Sequence, residues 1–137
     1  MMKKILSTIL ISMSILFLLV GCGSSKAKDV TIDSIKQSFA DAGMTVGENK
    51  EVMFQMIGAN NGVKFDINEE TVELYYYDSK NLSDDGKEYV KQAKEGSVSI
   101  LGMSSKPALY KDGFMLINYE NHKDKDKIVE TFNSNFK

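Results

Sequence analysis

Two short runs in the middle of the chain restrict its fold more than any other part of the sequence. Val63, Phe65 and Ile67 alternate with Lys64, Asp66 and Asn68. After Glu69-Glu70, residues Val72, Leu74 and Tyr76 alternate with Glu73, Tyr75 and Tyr77. Successive side chains of a strand point to opposite faces, so each run predicts a strand with one apolar face, and their separation predicts a hairpin. A second hairpin is predicted around Asp112-Gly113, between Leu109-Tyr110-Lys111 and Phe114-Met115, because this pair tolerates the positive φ angles of a tight turn. Its second strand runs from Phe114 to about Tyr119. Val98 to Met103 adds a strand, and Met44-Thr45-Val46 a short one. An apolar sheet face has to be covered.

Three amphipathic stretches can cover it. Ile32 to Ala42 places Ile32, Ile35, Phe39 and Ala42 at helical spacing, with Thr31 as N-cap and Gly43 as terminator. Ser83 caps a second helix with Asp84 and Asp85 in its first turn, Tyr89, Val90 and Ala93 on its apolar side, and Gly96 at its end. The last helix starts near Lys123 and carries Ile128, Val129, Phe132 and Phe136 on one side. Glu51 to Ile57 suits a short helix or an irregular segment alike, and Gly58 to Gly62 is turn chemistry. The expected architecture is a single small α+β domain over residues 31–137, a mainly antiparallel sheet with its helices packed on one face.

The N-terminus is of another kind. Lys3 and Lys4 precede an apolar stretch from Ile5 to Val20, short of the ~20 residues a spanning helix needs. A positive start, a short apolar run and small residues at its end read as a secretory signal peptide over residues 1–21. The run closes on Leu19-Val20-Gly21-Cys22, which resembles the lipobox of bacterial lipoproteins at all four positions. The resemblance implies diacylglycerol with fatty acyl chains such as palmitate on the Cys22 thiol, and signal-peptidase cleavage between Gly21 and Cys22. It also implies a cell-membrane protein, lipid-anchored on the extracytoplasmic face. A cysteine suits the modification because a thiolate is the stronger nucleophile at neutral pH. Two acyl chains hold stably where one binds marginally. Residues 22–30, CGSSKAKDV, form a flexible tether. Fully extended, it reaches about 26 Å at ~3.3 Å per residue, so any partner must come close to the membrane.

Charge narrows the partners. Cutting after Gly21 removes two lysines and no acid from 17 basic and 19 acidic residues, which takes the formal net charge from −2 to −4. Such a chain is not expected to bind nucleic acid, nor to carry a polybasic membrane patch. Every basic residue is lysine, which with the lipobox suggests a Gram-positive bacterium of low-GC genome, and the residue best suited to bidentate anion capture is missing. The stretches MIGANNGVKFDINEETVELYYYD and NYENHKDKDKIVETFNSNF are similar in pattern to small uncharacterised lipoproteins of Gram-positive bacteria. With no activity assigned to those proteins, the likeness implies no catalytic residue.

Chemistry-bearing residues are few. Glu120 to Asp126 groups possible cation ligands around His122, yet it lacks the central Gly and distant Glu of a calcium loop, and lysines interleave its acids. Acids at the positive end of the last helix explain it as well. His122 is the single histidine, expected on the surface near a helix start, and no Gly-x-Ser-x-Gly accompanies it. Gly58 and Gly62 lack the Lys-Ser/Thr of a phosphate loop. If Val72, Leu74 and Tyr76 face the helices, Tyr75 and Tyr77 lie on the open face as candidate binding residues, with Tyr110 and Tyr119 adding to the surface. Tyrosine also simply favours strands. Met44, Met53, Met56, Met103 and Met115 are expected mostly in the core, or else as an adaptable groove. The expected function is a non-enzymatic binding module with no cofactor, metal or catalytic residue, anchored to membrane lipid through its diacylglyceryl group. Its partner would be a membrane-near protein or envelope component. The alternatives are a small-molecule or ion binder with a cleft lined by tyrosine and methionine, or an enzyme with a dispersed site around His122.

Overall fold

The computed structural model describes residues 29–136. Helix α1 spans Ile32–Asp41, and a 3-10 turn follows at Phe54–Ile57. Strands β1 (Asn61–Ile67) and β2 (Glu70–Tyr76) lead to helix α2 (Asp84–Lys94). Strand β3 (Ser97–Ser99), a second 3-10 turn (Ile100–Gly102), β4 (Ser105–Lys111), β5 (Phe114–Ile117) and helix α3 (Lys125–Ser134) complete the chain. The five strands form one sheet in the order β1-β2-β5-β4-β3, with every neighbouring pair antiparallel.

Local chemistry sets most of these boundaries. Thr31 Oγ1 accepts from Ser34 N at 3.0 Å while Ser34 Oγ accepts from Thr31 N at 2.8 Å, a reciprocal cap that starts α1. Ser83 Oγ accepts from Gly86 N at 3.1 Å to start α2. Asp112 (φ 48°) and Gly113 (φ 93°) both adopt the positive φ that the β4–β5 hairpin turn requires. The β1–β2 turn does the same with Asn68 (φ 48°) and Glu69 (φ 74°). Two expected strands are curtailed: Val46 contributes one bridge, to Ile67, and the Val98–Met103 stretch leaves the sheet after Ser99.

The sheet buries both of its faces. On one, α1 and α3 bring Ile35, Phe39, Ile128 and Phe132 onto Phe65, Ile67, Val72, Leu74 and Leu116. On the other, α2 and the first 3-10 turn bring Val90, Ala93 and Ile57 onto Tyr75, Tyr77, Met115 and Ile117. The α+β class, the antiparallel sheet and the single small domain are as expected. The packing of all three helices on one face is not: α2 lies opposite α1 and α3. The physical reason is visible in β5, where Phe114, Met115, Leu116 and Ile117 are all buried. A strand apolar on alternate residues serves one covered face, and an unbroken apolar run serves two. Fully burying side chains of this size is worth about 1.5–3 kcal/mol each, enough to hold an 11-residue helix on the second face.

Candidate functional site

Tyr75 and Tyr77, expected on an open face, are 5% and 2% exposed beneath α2 and the Phe54–Ile57 turn. Tyr77 donates its hydroxyl hydrogen to Ile57 O at 3.0 Å, and Tyr75 donates to Glu73 Oε1 at 3.1 Å. Burial raises both phenols well above the ordinary tyrosine range, and the Glu73 carboxylate raises Tyr75 further. These two side chains are core, because the second sheet face is covered. They form no exposed contact surface. Tyr119 is buried as well, and Tyr110 is half-buried. Cys22 and Gly21, the lipidation and cleavage positions, lie outside the described residues.

His122 is buried rather than on the surface. Its Nε2 lies 2.7 Å from Ile67 O, and its Nδ1 accepts from Asp124 N at 2.9 Å. A carbonyl can only accept, so the proton sits on Nε2 and the ring is the neutral tautomer. Glu70 Oε2 lies 3.3 Å from Nδ1 and accepts from Lys123 N at 3.0 Å. Asp124 Oδ2 accepts from Asn68 Nδ2 at 2.7 Å, and Asn68 Oδ1 from Thr45 N at 2.8 Å. Together these bonds tie the α3 entry, and the segment after α1, to the β1–β2 turn. Both ring nitrogens are occupied by backbone, which leaves neither free to serve a substrate. Glu120 stands apart, with its Oε2 buried and unpartnered within the described residues. Among the described residues no group of three or more His, Cys, Asp or Glu side chains is placed to share a metal ion.

Gly58 (φ 63°) closes the first 3-10 turn against α2. Gly62 sits in β1 where an added Cβ would meet the Tyr75 ring at 2.6 Å. Both are packing positions.

The surface feature that stands out is apolar. Met53, Met56, Leu101 and Met103 are between 45% and 70% exposed. The methionines therefore divide, Met44 and Met115 in the core and these three outside. The four residues belong to the two 3-10 turns and their flanks, and the two turns pack against each other, with Phe54 and Ile100 anchored in the same core cluster. Leu101 adopts φ 52°, a left-handed conformation that costs a non-glycine residue about 1–2 kcal/mol. The turn is held by specific bonds: Leu101 N donates to Tyr89 Oη at 3.2 Å, Ser99 N to Gln92 Oε1 at 2.9 Å, and Ser99 Oγ to Met103 O at 2.5 Å. Stored backbone strain that presents an apolar side chain to solvent is a mark of a contact surface.

A sequence signal for this surface exists. Charged residues are spread through the chain, yet Val52–Val63 and Gly96–Ser105 contain none. The fold brings those two uncharged stretches together. Hydrophobic periodicity does not find them, because 3-10 turns have no sustained period. Such a surface can bind by shape and apolar contact, with flexible thioethers adapting to the partner.

Among the described residues no helix is long and apolar enough to cross a membrane. Comparison with protein families, curated proteins and solved structures finds no match to this chain.

Proposed function

We propose that this chain is a lipid-anchored protein of the extracytoplasmic membrane face whose folded part is a non-enzymatic binding module. The anchor is supported by Leu19-Val20-Gly21-Cys22 at the end of a short apolar stretch. The observation that carries the binding role is the joined, uncharged surface of Met53, Met56, Leu101 and Met103. Its partner is a protein near the membrane, within reach of a domain tethered over residues 22–30. An apolar, charge-free contact selects a protein surface of complementary shape and gives nothing to a polyanion. Burying the exposed part of Leu101 or of one methionine in such a contact is worth on the order of 1 kcal/mol, a several-fold gain in affinity per residue.

The test is photo-crosslinking in cells with the reactive amino acid placed at Met53, at Met103 or at Glu130 on α3. One protein adduct, formed at the first two positions and absent at Glu130, is the expected result. Equal adducts at all three positions would sink the surface assignment. Membrane fractionation of Cys22→Ser addresses the anchor separately. The variant leaves the membrane fraction if Cys22 carries the lipid, and the anchor is refuted if its intact mass and fractionation match the wild type.

A further inference from the structure

A cleft on the other side of α2 carries a different chemistry. It has a volume of about 420 Å³ and lies between α2, the β2–α2 loop and the tip of the β4–β5 hairpin. Tyr77, Leu82 and Val90 line it with Tyr110. Two opposite charges also line it: Lys94 from the last turn of α2 and Asp112 from the hairpin turn. The tyrosines of the expected small-molecule cleft are thus present, and no methionine lines it.

The two charges do not neutralise each other. The oppositely charged side chains within 4.0 Å of each other among the described residues are Lys50 and Asp66, so Lys94 and Asp112 are more than 4.0 Å apart. Neither side chain makes a hydrogen bond to any described residue. Lys94 Nζ sits 6.0 Å from the centroid of the Tyr110 ring, at the outer reach of a cation–π contact, and keeps its hydrogen-bonding capacity. Asp112 faces the same ring from the hairpin, and its charge together with burial raises the Tyr110 phenol above its ordinary range. Both charges stand exposed at the rim of the cleft, over a packed floor. The paired positive φ angles of Asp112 and Gly113 set the backbone of the turn, and Gly113 fits because an added Cβ would lie 2.7 Å from Tyr77 O.

From this arrangement we infer that the cleft binds a small zwitterion of amino-acid or dipeptide size, carrying one free carboxylate and one free ammonium on an apolar body. The carboxylate meets Lys94, the ammonium meets Asp112, and the apolar body lies on Leu82, Val90 and the tyrosine rings. A pocket of this volume is within the usual range for small ligands, and charged groups held apart by an apolar lining set orientation and selectivity. A ligand with one charge leaves the opposite wall unpaired. A neutral one forgoes both, so the cleft discriminates by the number of charge-assisted contacts a ligand can make. This site is independent of the apolar surface beyond α2 and of the lipid anchor.

Calorimetric titration of the full chain in detergent tests the inference. The probes are L-phenylalanine and Leu-Leu, each beside its N-acetylated and C-amidated forms. The expected result is that at least one free zwitterion binds and that capping either end weakens it by tenfold or more. Two variants give the decisive readout. Lys94→Gln lowers zwitterion affinity at least tenfold yet leaves phenethylamine, which has no carboxylate, at its wild-type affinity. Asp112→Asn, which keeps a turn-forming residue, does the same for zwitterions while sparing phenylpropionate. Capped probes binding as well as free ones, or variants that weaken charged and uncharged probes alike, would overturn the assignment. So would the lack of any binding up to millimolar probe. Retained circular dichroism in both variants separates these outcomes from unfolding.

Discussion

Leu101 combines two costs in one residue, a left-handed backbone and an apolar side chain in solvent. A chain selected only for stability would place glycine here, as it does at the next position, where Gly102 has φ 73°. Leu101→Gly is therefore expected to be more stable than Leu101→Ala by about 1 kcal/mol, a few degrees in melting temperature, because alanine keeps the strain and glycine removes it. Both variants lose the exposed side chain and give less of the Met103 crosslink than the wild type. Thermal scans of the pair decide the backbone part. Identical melting temperatures would mean that the turn holds Leu101 without strain. Stability rising while binding falls is the exchange expected where strain serves a contact.

At the scale of elements, α2 shows how close packing overrides helix propensity. Glycine inside a helix costs up to about 1 kcal/mol relative to alanine. Gly86 nevertheless sits in the first turns of α2, buried, where an added Cβ would lie 2.6 Å from Gly58 O. The missing side chain lets the Phe54–Ile57 turn seat on the helix and bring Ile57 O to the Tyr77 hydroxyl. Gly86→Ala is expected to destabilise the fold by more than about 1 kcal/mol despite the propensity gain, read as a lower urea midpoint at unchanged slope. A midpoint equal to or above wild type would show that the turn yields without cost. The same element marks what the sequence makes legible. Ser83, the two aspartates and the Val90–Ala93 stripe predict α2 as a helix. The sheet face it covers is encoded elsewhere, in the unbroken Phe114–Ile117 run and in Tyr75 and Tyr77. The alternation of Val72, Leu74 and Tyr76 suggests an open opposite face only while β2 is considered alone. Its neighbour β5, apolar throughout, shows that both sides are covered. The apolar surface and the Lys94–Asp112 cleft are harder to read for a related reason. Each joins segments distant in the chain; the two segments of the surface share only a lack of charge, and those of the cleft have no pattern of their own.

For the whole molecule, covering both sheet faces converts tyrosine from a surface residue into a structural one, and that has a consequence in alkali. Tyr75, Tyr77, Tyr110 and Tyr119 all have phenols raised above the ordinary value, in each case chiefly because burial disfavours the phenolate. In the unfolded chain these groups release their protons near pH 10. Below that value folded and unfolded chains hold the same phenolic protons, and the tyrosines add no pH dependence. Above it the unfolded chain holds fewer protons than the folded one, so stability falls as pH rises. Ionisation and unfolding should therefore be coupled. The chain has no tryptophan, so tyrosinate absorbance at 295 nm reports these groups cleanly. Part of that absorbance is expected to appear only above pH 10 and together with the loss of β-sheet circular dichroism, whereas in concentrated urea all of it appears in one step near pH 10. A native titration curve that overlays the urea curve while the dichroism stays intact would mean that the tyrosines are reached by solvent in the folded protein. The second sheet face would then be loosely covered, and the cleft at Tyr77 and Tyr110 would lose the packed floor on which its ligand rests.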